Sequence, residues 1–368
     1  MFALDLSPAQ RDLLGALVPF ASGVVRPAVQ GGVPDADAAD AIRHHLRRLI
    51  GADDGDPVTA LVWAEEVSFG DPGVAYDAVI RQSAERVIAV LGSQDQQSKH
   101  LVSLRADPTI SAGVAYYEGF GRTPGETTTS ARRTRGGWLV TGRKIGVLRP
   151  NDAQLQVVIV RDEESGRLLS LVLAADTWRA VTVSSDDVEE GKLGLDAAAT
   201  GNIELNGVLV PLEDALLANA ADDLLLHQLL AGLRLQVAAV MVGAGRAALA
   251  YAAQYASKRM AFGKPISQLQ GVTFPLVDAD TGLVAARLQT WQAALEAVRS
   301  EDPEAIARLT GQAVAQCQAA ALQATRVGVN TLGGHGLMLE HPVERWYRDV
   351  GTLAALDFDP LELDLDVF

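Results

Sequence analysis

The sequence predicts an α+β fold, with an N-terminal helical domain over residues 1–108, a middle β domain over 109–212 and a C-terminal helical bundle over 213–368. Three observations point there. Apolar residues recur at helical spacing up to about residue 108, give way to short Val-, Thr- and Gly-rich runs, and return to helical spacing afterwards. Hydrophobic residues make up 48% of the chain but aromatics only 5%, so the core must be built from Leu, Val and Ala, which suit packed helices. A length of 368 residues allows two or three domains with a sizeable core. The chain shows no internal repeat and no low-complexity linker.

Ser7-Pro8-Ala9-Gln10 opens the first helix with an N-cap, a proline at the first helical position and a capping-box glutamine. Phe20, Val24 and Val25 extend its apolar face, and Pro27 ends it. A second apolar segment, Val58 to Phe69, stops at the turn signal Gly70-Asp71-Pro72-Gly73. Strands are expected at Ile110–Tyr117, Trp138–Thr141, Leu155–Val160, Leu168–Leu173, Val181–Ser184 and Asn202–Val210. Arg135-Gly136-Gly137 and Asn206-Gly207 are read as turns between them, and Pro211 closes the domain. Leu224 to Arg259 is apolar nearly all round, as in the central helix of a bundle. Val277, Val284, Leu288, Trp291, Leu295 and Val298 form a stripe at steps of seven, four, three, four and three. Residues 303–330 are Ala-rich and helical.

The net charge of −15 repels polyanions, which argues against nucleic acid or an anionic membrane as a general partner. An anionic cofactor would need local cationic anchors. The single cysteine, Cys317, forms no intrachain disulfide, sits on an Ala-rich helix as a core residue, and fits a reducing cytoplasm. The N-terminus has the charges Asp5, Arg11 and Asp12 and no signal-peptide apolar region. No uninterrupted apolar run reaches membrane-spanning length. His335 reads as a loop residue, and no His, Cys and carboxylate cluster has metal-ligand spacing, so no metal is expected.

The motifs lie in the C-terminal half. Residues 255–264 read Tyr-Ala-Ser-Lys-Arg-Met-Ala-Phe-Gly-Lys, residues 332–336 read Leu-Gly-Gly-His-Gly, and His341-Pro342-Val343-Glu344-Arg345-Trp346-Tyr347-Arg348-Asp349 follows. In this order and spacing they resemble the acyl-CoA dehydrogenase family, flavoenzymes that oxidise the α,β bond of acyl thioesters. The resemblance spans the chain in domain order and is most specific over residues 234–349. It implies FAD at a subunit interface, where one chain holds the flavin ring and its neighbour reaches the pyrophosphate and adenine. The positions matching the neighbour's contribution are Arg259, Phe262, Gln270, Asn330, Gly333 and Gly334. Arg259 would offer a planar fork to a phosphate, and the glycines would admit close backbone approach. Asn330 stands where Gln is usual. Arg234 matches a further common arginine and is carried over as a substrate contact.

The other half of the site departs from the family. Gly142-Arg143-Lys144 matches a strand signature, but Gly146 and Leu148 stand where Trp and Thr usually contact the flavin. A Thr-Glu-Pro…Gly-Ser-Asp loop survives only as Tyr117-Glu118-Gly119-Phe120-Gly121-Arg122. Counting past residues 350–356 from Arg348-Asp349 reaches Asp357, where the resemblance implies the carboxylate base. It is one methylene shorter than the usual Glu, and a misplacement of roughly 1 Å can cost on the order of 100-fold in rate. Phe358-Asp359 replaces the usual Gly-Thr, and Leu233, the position some relatives use for the base, is not ionisable. Asp357 also sits among Asp359, Glu362, Asp364 and Asp366, so a solvated acidic tail is a rival reading. The neighbour-facing residues are mostly retained and the flavin-holding ones mostly changed. The expectation is a chain that takes part in FAD-dependent α,β-desaturation of an acyl-CoA or acyl-carrier-protein thioester. It would do so as the subunit of a hetero-oligomer that lends contacts to a partner's FAD. The alternatives are a self-sufficient homo-oligomeric dehydrogenase using Asp357 and, third, a related flavin monooxygenase.

Overall fold

The structure is a computed structural model that describes residues 6–30, 32–51, 55–119, 126–183, 192–216 and 220–356. The N-terminal helices are α1 (Pro8–Phe20), α2 (Arg26–Ala28), α3 (Ala36–Ile50), α4 (Pro57–Gly70), α5 (Pro72–Leu91) and α6 (Gln94–Ala106). Ser7 and Gln10 form the expected capping box at α1. Asp71 caps α5 by accepting from the Val74 amide, so the Gly-Asp-Pro-Gly turn becomes a tight junction between two buried helices.

The β domain holds β1 (Ala112–Ala115), β2 (Ser130–Thr134), β3 (Gly137–Leu148), β4 (Leu155–Asp162), β5 (Leu168–Ala174), the short α7 (Ala175–Trp178), β6 (Thr182–Val183) and β7 (Thr200–Val210). In one sheet β4 pairs in parallel with β1 and β2 and antiparallel with β5. Antiparallel pairing then runs from β2 through β3 and β7 to β6. The continuous apolar run in β4 is explained by burial on both faces. Val157 and Ile159 face the helical core, whereas Val158 and Val160 pack with Leu171, Leu173 and Trp178 inside the β domain.

Sequence reading missed β2, whose Ser-Ala-Arg-Arg-Thr has one buried position and no apolar alternation. It also read Asn206-Gly207 as a turn. Both residues lie within β7, where the register against β3 slips between Val140 and Thr141. Gly207, at φ +71°, supplies the left-handed residue of a β-bulge. An isolated Asn-Gly pair signals positive φ, which a bulge satisfies as well as a turn.

The C-terminal bundle consists of α8 (Ala220–Lys258), the hairpin β8 (Met260–Ala261) and β9 (Lys264–Pro265), α9 (Gln270–Ala297), α10 (Pro303–Leu332) and α11 (Val343–Ala355). α8 runs through its centre, packed by α4, α5, α9, α10 and α11. Asp223–Lys258, although interrupted by Arg234 and Arg246, is long and apolar enough to cross a membrane, with a window of mean hydropathy 1.5. Of that window 72% is buried inside the protein, so its apolar surface is taken up by neighbouring helices.

The stripe on α9 is oriented differently from expectation. The helix buries Leu283 together with Ala279, Ala286, Thr290, Ala293 and Ala297, small residues that let α9 approach α8 and α10 closely. Val277, Val284 and Val298 are exposed instead, with Phe274 beside them. Cys317 is fully buried against the Thr290 hydroxyl at 3.0 Å, and burial pushes its thiol up to about 12, as befits a core residue.

Candidate functional site

The neighbour-facing residues all lie in the C-terminal domain and face outward. Arg259 follows the last turn of α8, with its amide bonded to the Tyr255 carbonyl and its side chain exposed. The chain then reverses through Ala261-Phe262-Gly263-Lys264, with φ +52° at Phe262 and +77° at Gly263. Positive φ at both central residues is the signature of a type I′ hairpin, where Asn-Gly is favoured and a bulky aromatic is not. Phe262 nevertheless occupies it and is 92% exposed. A ring held in solvent on a disfavoured backbone has no role in this chain's own core.

Gln270 is the first residue of α9 and is exposed. Asn330 sits near the end of α10, which Gly333 terminates at φ +59° with its amide on the Asn330 carbonyl. An added Cβ at Gly333 or Gly334 would meet nothing within 4 Å, so this backbone is open to an approaching group. The end of α8 and the glycine turn converge, since the Tyr255 and His335 rings lie 6.2 Å apart. Asn330 lines a cleft of about 430 Å³ with Arg326, Val329, Leu337, Tyr347 and Arg348. Sequence reasoning missed Arg326, although it lies four residues before Asn330, one turn back along the same helix. Arg234 is 3% exposed on α8, so any substrate would have to meet it from inside the bundle.

The region assigned to a chain's own flavin is built differently. Glu118 is clamped by Lys144 Nζ at 2.8 Å, the Thr128 and Thr129 amides at 2.6 and 2.9 Å, and the Thr128 hydroxyl at 2.7 Å. Burial works to raise its pKa, but the Lys144 ammonium and these donors hold it at about 2. Burial lowers Lys144 to about 8 against the pull of Glu118, so the pair is ionised at neutral pH. This clamp pins the end of β1 to β3.

Two residues beyond Lys144 the register between β3 and β7 slips, and Gly146 takes φ +64° with its amide on Asn202 Oδ1 at 3.2 Å. A Cβ at Gly146 would lie 2.6 Å from Leu356 Cδ2. The Tyr117 hydroxyl meanwhile donates to the Ala355 carbonyl at 3.2 Å, and Leu148 is 2% exposed. Ala355 and Leu356, at the end of α11, are thus packed onto the strand where family members place flavin contacts.

α11 is held from the other side as well. Arg348 donates to the Leu193 carbonyl at 2.5 Å, and Asp349 accepts from the Leu195 amide at 2.6 Å. Burial, and then the negative charge of Asp71, push Asp349 up to about 8. Leu233 is buried, as expected of a core leucine. Asp357 and Phe120-Gly121-Arg122 lie outside the described residues. The structure does bring together what sequence spacing did not flag, the side chains of His335, Glu340 and His341.

Helical, β and helical domains in this order, with a glycine turn and an Arg-Phe hairpin at one end of the terminal bundle, define the fold of acyl-CoA dehydrogenases. The family model "Acyl-CoA dehydrogenase, C-terminal domain" matches residues 224–357. The structure of butyryl-CoA dehydrogenase from Megasphaera elsdenii superposes with a TM-score of 0.82 at 25% identity, covering 98% of each chain. The mitochondrial short-chain specific acyl-CoA dehydrogenase of Sus scrofa is 28% identical over 264 residues, 71% of this chain and 63% of that protein. Benzylmalonyl-CoA dehydrogenase of Aromatoleum aromaticum is 32% identical over 228 residues, 60% of this chain and 57% of that one. The alignments thus span less than two thirds of these curated relatives. The C-terminal domain belongs to the acyl-CoA dehydrogenase family, and the whole chain has the fold of that family's butyryl-CoA dehydrogenase.

Proposed function

We propose that this chain takes part in FAD-dependent α,β-desaturation of an acyl thioester, carried by CoA or a carrier protein. In this reading it is the subunit of a hetero-oligomer that lends contacts to a partner's cofactor. Bound FAD supplies the acceptor for the β-hydride. Arg259, the Phe262 ring, Gln270, Asn330 and the Gly333-Gly334 backbone hold the part of that FAD remote from its ring. All of them are exposed or open, and they gather at one end of the bundle. Arg259 contributes charge-assisted hydrogen bonds to phosphate, and Phe262 contributes apolar contact already presented at a cost in backbone strain.

The carrying observation is Leu356 Cδ2, which lies 2.6 Å from where a Cβ at position 146 would begin. Among the described residues, the strand that should present ring packing and a hydroxyl to a flavin presents a bulge glycine and a buried leucine. The residues here therefore fit a neighbour's FAD and do not fit a flavin of this chain's own. The test is expression alone and together with a fuller family member, reading flavin absorbance at equal chain concentration. Flavin retained by the pair and not by the single chain supports the reading. Stoichiometric flavin in the single chain contradicts it.

The second reading is a self-sufficient dehydrogenase, favoured by the carboxylate at the family spacing, Asp357. In it Asp357 takes the α-proton acidified by the thioester while the hydride leaves Cβ. Turnover by the chain alone, lost in Asp357→Asn, would establish it.

A further inference from the structure

We infer that His335, Glu340 and His341 form a binding site for a divalent transition-metal ion, with Zn²⁺ the ion their donor set suits best. Each offers one ligand atom, and these atoms lie within 4.8 Å of one another. His341 Nε2 is 3.8 Å from the Glu340 carboxylate. Ligands on a tetrahedral zinc ion stand roughly 3.4 Å apart at metal–nitrogen distances of about 2.0–2.1 Å. Modest side-chain rotations close the gap, and exposed His335 and Glu340 have room to make them.

A second observation concerns the half-buried His341. Its Nδ1 lies 2.8 Å from the Tyr251 hydroxyl. If Nδ1–H donates to the tyrosine oxygen, the lone pair on Nε2 is left for a metal, and the ring is held in one orientation. An outer hydrogen bond of this kind is the usual companion of a ligating histidine. Tyr255 packs against both imidazoles, with ring centroids 6.2 Å from His335 and 6.0 Å from His341. The two imidazoles stand at 87° to each other, 5.7 Å apart. The aromatic wall therefore sets the two rings beside the carboxylate. Two imidazoles and one carboxylate suit zinc and its divalent neighbours rather than calcium or magnesium, and they leave coordination positions open to water. The net charge of −15 adds a field that favours cations.

The ion would fasten the two ends of one loop. His335 follows the glycine turn after α10, and His341 precedes α11. Between them Leu337, Met338 and Leu339 are 74%, 53% and 86% exposed. The seven residues 335–341, otherwise tethered by turn hydrogen bonds from Met338 to His335 and from His341 to Met338, would gain a cross-link at the mouth of the bundle. This inference is independent of the cofactor assignment and is read without activity.

The test uses the full chain without a polyhistidine tag, stripped with chelator and titrated with Zn²⁺ by calorimetry and with Co²⁺ by visible absorbance. The expected result is saturable uptake of one ion per chain, with cobalt bands in the visible. His335→Ala and His341→Ala should each weaken it at least tenfold, and Tyr251→Phe by less. Metal-free melting of each variant reports folding. Should His341→Ala fail to fold, His335→Ala and Glu340→Gln, both at exposed positions, carry the test. The absence of saturable uptake, or uptake that survives His335→Ala with Glu340→Gln, overturns the site.

Discussion

At the scale of single residues, position 146 shows how one backbone angle decides what a site can hold. A residue with a Cβ at φ +64° costs about 1–2 kcal/mol in backbone alone, and here it would also strike Leu356. Gly146→Ala should therefore destabilise the chain by about 1–3 kcal/mol in urea unfolding. Gly207→Ala provides the comparison, because it shares the left-handed φ but its Cβ would lie 3.7 Å from Leu139, ordinary contact. Gly146→Ala should cost more, and adding Leu356→Ala should recover part of the difference. Equal costs would remove the packing argument. Arg259, by contrast, bonds to the rest of its chain through its backbone, and its side chain is exposed. Arg259→Ala should leave melting unchanged and loosen FAD in the assembly about tenfold or more, since a hydrogen bond to a charged group is worth about 1.5–3 kcal/mol. Unaltered flavin occupancy after desalting would contradict the assignment. Asp349 gives a pH signature. Its pKa rises on folding from near 3.8 to about 8, so the folded state binds the extra proton in that window. Its contribution is full below pH 3.8 and is lost as pH rises through 8. Asp349→Asn should thus gain stability relative to the parent above pH 8, while the Glu118 contribution, lost from about 4.5 down to 2, stays in both proteins. A constant difference across pH would show that Asp349 is ionised in the fold.

At the scale of elements, α9 turns part of its apolar surface to solvent while its alanines and Leu283 face the bundle. Phe274, Val277, Val284 and Val298 run along that outer face, 57%, 55%, 41% and 42% exposed. Such a patch marks an association surface. Val277→Asp with Val284→Asp should shift light scattering to a smaller species with helicity unchanged, and an unchanged mass would place the interface elsewhere. The same helix shows what periodicity conveys and what it omits. Steps of three, four and seven identified a helix correctly, but whether a stripe faces its own bundle or another chain depends on the competing stripe. A run of small residues packs against helices more closely than valines do. The capping residues Ser7 and Gln10 were legible because they act on amides within three residues, whereas Asp71 read only as part of a turn. β2 was not legible, because its sheet position comes from pairing with β3 and β4 rather than from its own apolar pattern. The motif residues Arg259, Phe262 and Gly333 were legible as a pattern, and the structure adds their exposure. The histidines at 335 and 341 were not, because the turn that folds residue 335 back toward 341 has no spacing rule.

At the scale of the whole molecule, the proposed function has two halves of one site part company in this chain. The end of the bundle that carries Arg259, Phe262 and the glycine turn faces outward and open. The junction of the β domain with the end of α11 is closed by Leu356, Tyr117 and Leu148. A chain that decayed at random would not be expected to keep an exposed phenylalanine on a strained turn while filling the other region with packed leucines. Gly146 and Leu148 stand beside the Glu118–Lys144 ion pair. The most direct measurement is FAD content and acyl-CoA turnover of the purified single chain, with Asp357→Asn in parallel. The expected result is flavin well below one per chain and no turnover, with both restored when a fuller family member is co-expressed. One FAD per chain, with turnover abolished by Asp357→Asn, would contradict it.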